Sequence, residues 1–508
     1  MSQTKSLRRR RWLSIAGAVA IGAIAASPAL AGQSKGGTDP STVVAAPAGT
    51  SPGSLQGIAA ITGARAAWSV GARGQGVDVA LIDTGVAPVP GLDAPGKVVN
   101  ALDLSFDSQQ PGLEFVDGYG HGTHLASIIA GGDPSIDPLN AGDRFVGIAP
   151  SARIVNVRAG DALGRVDVTQ VIAALDWVVE NQHANGLNIR VICLAYGTDS
   201  TQDYRVDPLA HAVENAWRHG IVVVTSAGNA GFDGKKTSPG LTTPAADPMV
   251  IAVGGSDPNG TLATSDDTVA GFSSGGANKR NPDFLAPSVS VEGLGVPGST
   301  VDHLFGATAG MGPLIRGSGT SQAAAVVAGL VADLLSVRPL LTPDQVKALL
   351  GSNATKLSKV DKAAQGFGEV NLVNAGLADT PKTKPVAASP GGGSIDASRG
   401  SNRLVHEGGT LTGETDWFGR PFSGAAIARA EDTDTAWVGG SWLGAPLVGT
   451  PWLRPSWDGS DWTSRTWRDE GWDSRTWRDA SWTSRTWRDA AWLGADWTSR
   501  TWRDASWQ

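Results

Sequence analysis

Residues 190–229 read RVICLAYGTDSTQDYRVDPLAHAVENAWRHGIVVVTSAGN. Two short apolar runs, VICL and IVVV, flank DPLAHAVENAWRHG, a stretch amphipathic at helical spacing. Strands that are apolar throughout, rather than alternating, are buried on both faces, and a strand–helix–strand order lays the two strands parallel. The same texture recurs in GVDVALID (76–83), ARIVNVRAG (152–160) and PMVIAVGG (248–255), with a second amphipathic stretch in VTQVIAALDWVVENQ (168–182). The chain therefore reads as an α/β fold: a mostly parallel sheet with helices on both faces, carrying its functional residues at the carboxyl ends of the strands. A long helix is expected to begin near Thr320 in GTSQAAAVVAGLVADLLSVRP and end before Pro339, and another to run over TPDQVKALLGSN with Pro343 in its first turn.

Outside this body the composition changes. Lys5 and Arg8 to Arg11 precede an apolar run from Trp12 to about Ala26, then Ala29-Leu30-Ala31, the pattern of a secretory signal peptide over 1–31. Residues 32–57, rich in Gly, Ser, Thr, Pro and Ala, read as a linker-like segment with too few large apolar residues for a core. The globular body is expected over 58–378, a linker with a short ordered piece over 379–436, and a low-complexity Trp-repeat tail over 437–508. No later stretch is expected to span a bilayer. Net charge is −7 across 508 residues, 18% of them charged, so the basic excess of a nucleic-acid binder is missing. Cys193, the single cysteine, lies in an apolar run and reads as a small buried hydrophobe; alone it makes no intramolecular disulfide.

Three stretches carry chemistry. ALIDTG ends an apolar strand in Asp83; GYGHGTHLASIIAG places His121 and His124 at the mouth of an apolar helix; RGSGTSQAAAVVAG delivers Ser321 to the start of another. Singly each has an ordinary reading: a turn former, packed or metal-binding histidines, a helix cap. Jointly they supply a triad. A serine hydroxyl attacks only once a base takes its proton, and the base needs a carboxylate to fix its tautomer and stabilise the imidazolium. Asn229, ending VVVTSAGN, adds an amide that can donate to an oxyanion together with the backbone N–H of Ser321.

At these segments the chain resembles the subtilisin-like serine proteases, the subtilases, over roughly residues 58–378: Asp83 in DTG, His121 in HGTH, Asn229 in AGN, Ser321 in GTS, and NPDFLAP from Asn281 to Pro287. The resemblance implies a secreted serine endopeptidase, extracellular or at the cell surface, acting on protein or peptide substrates with Asp83, His121 and Ser321 as triad and Asn229 in the oxyanion hole. It also implies that Leu194, Ala195, Tyr196 and Gly197 pair with the substrate backbone, with Ala227 and Gly228 beside them, and that His124 is structural. No cofactor is required for this chemistry. Structural calcium is common in the family and acidic loops such as ALDLSFD (101–107) exist, but no ligand pattern assigns a site. Where the family usually has Met after its serine and Pro four residues after it, this chain has Gln322 and Ala325, which implies altered packing with the chemistry retained. Tyr196 stands within the usual SLG of the substrate strand, where an aromatic would narrow a subsite. A prodomain of the kind typical of extracellular subtilases is not expected from residues 32–57.

The tail repeats a tryptophan every five residues from Trp437 to Trp507, with Leu447 filling the one gap in register. A five-residue step scatters side chains around a helix and alternates them across a strand, so short strands joined by turns suit it better. Nine Arg balance nine Asp plus Glu over 437–508. A neutral aromatic module of this kind is expected to stack on something, and attachment to a cell envelope or polysaccharide is one reading, an expanded repeat with no ligand the other.

Overall fold

The apolar runs form the strands of one sheet: β1 (Asp78–Asp83), β2 (Val98–Asp103), β3 (Arg153–Arg158), β4 (Ile189–Leu194), β5 (Val222–Ser226), β6 (Ile251–Asp257), β7 (Thr268–Val269) and β8 (Phe284–Pro287). Their order is β2-β3-β1-β4-β5-β6-β7, with β8 also paired to β6, and only β7 runs antiparallel. The computed structural model describes residues 45–455 apart from 143, 236–237, 277–279, 306–313, 374, 377 and 385. The expected signal peptide and the ladder from Trp457 onward lie outside the described residues.

The helices of the body are α1 (Leu55–Ile61), α2 (Ala64–Ser69), α3 (His121–Ala130), α4 (Val168–Asn181), α5 (Pro208–Arg218), α6 (Thr300–Phe305), α7 (Thr320–Val337), α8 (Pro343–Asn353) and α9 (Lys362–Gln365). α3 and α7 pack together on one face of the sheet, α4 and α5 together on the other. Their starts are set locally. Asp167 caps α4 in a capping box with Gln170, Asp207 caps α5 ahead of Pro208, and Thr342 with Gln345 does the same for α8. α7 is the one described helix long and apolar enough to cross a membrane, against the expectation that no later stretch would be, yet nearly all of it is buried as the central helix of the core. A helix apolar on every side needs such a site. Cys193, fully buried in β4, has its thiol pushed upward by burial and then by the charge of Asp83, and packs as a hydrophobe.

Ordered structure starts before Ile58. Ser54 caps α1, and Leu55, Gln56 and Gly57 are buried members of it. At the other end, residues 380–384 and 386–388 run along the surface, but from Ser389 the chain packs onto α4 and α5 as a further layer that includes α10 (Ile395–Arg399) and α11 (Gly424–Asp432). The first rungs of the ladder belong to it. Trp437–Val438, Ser441–Trp442 and Ala445–Pro446 are two-residue strands in an antiparallel meander. Gly439 and Gly440 turn the first hairpin with both φ angles positive, 58° and 79°, the signature of a tight I′ connection. A two-residue turn sets residue i opposite i+5, so Trp437 and Trp442 face each other across the ladder and share one side. That side is inward: Trp442 is fully buried, 4.7 Å between ring centroids from Trp417, and its indole N–H donates to Asp176 of α4 at 2.7 Å. Between Trp437 and Trp442 the five-residue step is thus the cross-strand step of a hairpin, whereas the next connection sets Trp442 opposite Ala445.

Candidate active site

Because β1, β3, β4 and β5 run parallel, their carboxyl ends open on one edge, at the place where the strand order turns back beside β1. Open α/β sheets gather ligands there. Asp83 is the last residue of β1, and His121 the first of α3. Gly120 makes the approach possible: at φ 101° it holds a left-handed turn, and a Cβ there would meet the Ser299 hydroxyl at 2.7 Å.

His121 Nδ1 lies 2.8 and 3.0 Å from the two Asp83 oxygens, with both side chains essentially solvent-free. Burial pushes the Asp83 carboxyl above its usual range, while the charge and hydrogen bond of His121 and the amide of Thr84 pull it back. An Nδ1–H held to this carboxylate fixes the ring tautomer and leaves Nε2 as the basic nitrogen. Ser321 is the second residue of α7, the helix packed against α3, and is only 4% exposed. Its place at a helix N-terminus favours negative charge developing at Ser321.

Asn229 lies just past β5. Its Oδ1 accepts from the backbone N–H and the hydroxyl of Thr320, each at 2.9 Å, and Thr320 in turn accepts from Gly228 N–H. With its carbonyl end anchored beside Ser321, the amide presents Nδ2 as its other end. Leu194 to Gly197 continue β4, and Ala227 and Gly228 continue β5; between them sits Thr242, whose side chain a Cβ on Gly197 or on Gly228 would meet at 2.5 or 2.8 Å. Tyr196 is 1% exposed, and its phenol is raised by burial first and then by Asp167 and Asp207 against Arg399, so the aromatic side chain belongs to the layer behind the strand rather than to its open edge.

The residues that position this site include two whose part in it was not read from the sequence. Asp117, fully buried, accepts from Thr84 Oγ1, Gly120 N, Thr123 N and Thr123 Oγ1, tying the turn after β1 to the first turn of α3. An Asp three residues before a helix-entry glycine is the signal that would have found it. Thr320 is the other. His124 is fully buried, its ring filling the space over Gly293 and Gly317, where a Cβ would come within 2.5 and 2.9 Å of it. Gln322 and Ala325 are fully buried, and the Gln322 amide shares the space over Gly317.

Among the described residues no group of three or more His, Cys, Asp or Glu side chains is arranged to hold a metal ion. The acidic loop does not fit calcium, because Asp103 and Asp107 both close on the buried Arg158 guanidinium, which takes the place of a cation.

An aspartate locked to a histidine at the carboxyl edge of a parallel sheet, with a serine at the mouth of the helix packed alongside, defines a class: serine hydrolases on an α/β frame. Comparison with known proteins narrows it. Residues 74–368, more than half of the chain, match the Peptidase S8 subtilase family, and the chain belongs to that family. It is similar to serine protease AprX of Bacillus subtilis (strain 168), 35% identical over 308 residues that cover 59% of this chain and 66% of AprX. Subtilisin DY of Bacillus licheniformis is 32% identical over 303 residues, 59% of this chain and 91% of that protein. Subtilisin E of Bacillus subtilis (strain 168) is 34% identical over 307 residues, 60% and 66%. The chain thus spans just under two thirds of the length of AprX and subtilisin E.

Proposed function

We propose that the chain is a serine endopeptidase that cleaves protein or peptide substrates through an acyl-enzyme. His121 Nε2 takes the Ser321 Oγ proton as Oγ bonds to the scissile carbonyl carbon; Asp83 holds Nδ1–H and stabilises the imidazolium. Asn229 Nδ2 and the Ser321 backbone N–H donate to the oxyanion. His121 then returns the proton to the leaving amine as the C–N bond breaks, and water, deprotonated by the same nitrogen, releases the acid. Only side chains, backbone and water enter these steps. The substrate lies along Leu194 to Gly197, with Ala227 and Gly228 opposite. The observation that carries the reading is the buried 2.8 Å contact between Asp83 and His121.

The test is hydrolysis of a peptide substrate together with labelling by a fluorophosphonate. Ser321→Ala is expected to abolish labelling and lower kcat about 10⁶-fold, and Asn229→Ala to lower it about 10²–10³-fold with labelling retained, the magnitudes known for the same groups in subtilisin. A folded parent that neither labels nor cleaves sinks the proposal.

The basic, apolar and small-residue order of residues 1–31 supports export, with extracellular or cell-surface residence. The tail supports attachment to a cell envelope or polysaccharide through its aromatic rings. Trp437 and Trp442 are buried in the layer on α4 and α5 and so are withdrawn from that role, which leaves it to the rungs beyond. Fractionating cells that make the full chain or one lacking residues 456–508 checks both ideas: parent retained on cells and shortened chain free in the medium is expected, and equal distribution removes the anchoring role.

A further inference from the structure

The back of the proposed substrate edge is covered by the layer that follows Ser389. Thr198, the residue after Gly197, is fully buried and donates its hydroxyl to the Ser398 carbonyl at 2.7 Å. Asn402 Nδ2 donates to the Gly197 carbonyl at 3.4 Å, and Ser401 donates to both Asp199 oxygens, from its N–H and its hydroxyl, at 2.6 Å each. On its other strand-facing side Thr198 exchanges two backbone hydrogen bonds with Thr243, at 2.9 and 3.0 Å. The segment is therefore clamped between the Thr243 backbone, next to the Thr242 side chain that separates Gly197 from Gly228, and the end of α10.

The same short helix holds the caps of both helices under it. Ser398 Oγ donates to Asp207, the cap of α5, at 2.8 Å. Arg399, fully buried, donates from Nε to Asp167, the cap of α4, at 2.6 Å and from Nη2 at 3.2 Å, while Nη1 reaches the Gly413 carbonyl at 2.9 Å. Removing one partner of a buried charged pair leaves the other uncompensated, so losing the Arg399 guanidinium would leave Asp167 buried without its counter-charge. Tyr196 lies in the field of the same three groups, Asp167, Arg399 and Asp207. One turn of helix thus fixes the strand extension and the starts of both supporting helices.

We infer that the C-terminal layer positions the peptide-binding edge of this protease, with Arg399 and the Thr198–Ser398 hydrogen bond as positioning elements for Ala195 to Gly197. The inference rests on the proposed endopeptidase function. It separates binding of an extended chain, which needs the edge strand in register, from acylation of Ser321, which needs only His121 and the oxyanion donors. An extended substrate gains main-chain hydrogen bonds along such an edge and loses them when the edge shifts.

The test compares Thr198→Val and Arg399→Lys in the full chain on three probes: an extended chromogenic peptide, p-nitrophenyl acetate, and a fluorophosphonate. Peptide KM is expected to rise about fivefold or more, the effect of one buried hydrogen bond. Ester turnover and labelling rate are expected to stay within about twofold, since no transition-state contact is removed. Variants that melt cooperatively with peptide KM unmoved, or with ester and peptide rates falling in parallel, overturn the inference. Should Arg399→Lys fail to fold, Thr198→Val decides alone, because it removes one donor and almost no volume. A parent that neither labels nor hydrolyses overturns the endopeptidase reading and this inference with it; an active parent with unmoved KM overturns the inference alone.

Discussion

Asp176 is a carboxyl that burial forces away from its ordinary chemistry. It sits in α4 under the C-terminal layer, accepts the Trp442 indole N–H, and faces Glu431 of α11. Burial raises both acids, Asp176 to about 7 despite the opposing hydrogen bonds of Trp442 and Glu431, and Glu431 well above its usual range, with the charge of Asp176 adding to the rise. His211 Nε2 lies 3.4 Å from Glu431, and Arg218 pairs with Asp432 beside it. The sign follows. The unfolded acids lose their protons near pH 4 while the folded pair keeps them, so stability falls as pH rises from about 4 through 7, and is greatest below that window. Asp176→Asn retains an acceptor for Trp442 without a proton to lose. Its melting temperature is expected to exceed the parent's at pH 8 and to change less between pH 5 and 8; an unchanged slope would contradict the assignment.

At the scale of elements, the active edge depends on how two helices begin. Gly120→Ala forces a left-handed residue with a Cβ into Ser299, so it is expected to cost more than the roughly 1–2 kcal/mol of backbone strain alone and to lower kcat by displacing His121. Gly142→Ala, at φ 62° with nothing within 4 Å of its Cβ, isolates the strain. Thermal melts and peptide kinetics of the pair separate the two effects; equal losses would mean the Ser299 contact is harmless. The strands and the long helices were legible because their signals are local: unbroken Val and Ile runs, the apolar stretch opening at Thr320, Pro343 in the first turn of α8. The motifs around Asp83 and His121 were legible too, and the structure sets those two side chains 2.8 Å apart. Asp117 and Thr320 were not, because the groups they tie together stand 33 and 91 residues away in the chain. At Trp437 and Trp442 the step of five crosses a turn, in keeping with short strands joined by turns.

For the molecule as a whole, the layer from Ser389 to Pro455 is held by large apolar surfaces. Trp417, Trp442, Phe418 and Trp452 form one aromatic cluster, with Phe106 of the body against Trp452 at 6.3 Å. In sequence, residues 379–436 read as a linker with only a short ordered piece, because the apolar side chains there are sparse and gain their partners only on α4 and α5. Trp442→Ala is expected to cost about 3–5 kcal/mol, the usual range for emptying a buried aromatic site. Limited proteolysis should then cut ahead of Ser389, among the surface residues 380–384 and 386–388, and release a C-terminal fragment; resistance equal to the parent's would show that Trp442 is not what holds the layer down.

The placement of Ser398 and Arg399 also carries a consequence for timing. A polypeptide is made from its N-terminus, so Asp83, His121, Asn229 and Ser321 all exist before the residues that brace Thr198 and cap the two helices beneath it. On the proposed mechanism, a chain still being synthesised would hold Asp83, His121 and Ser321 before the brace on Thr198 exists, and the order of manufacture would itself defer cleavage of long polypeptides until the last layer has closed.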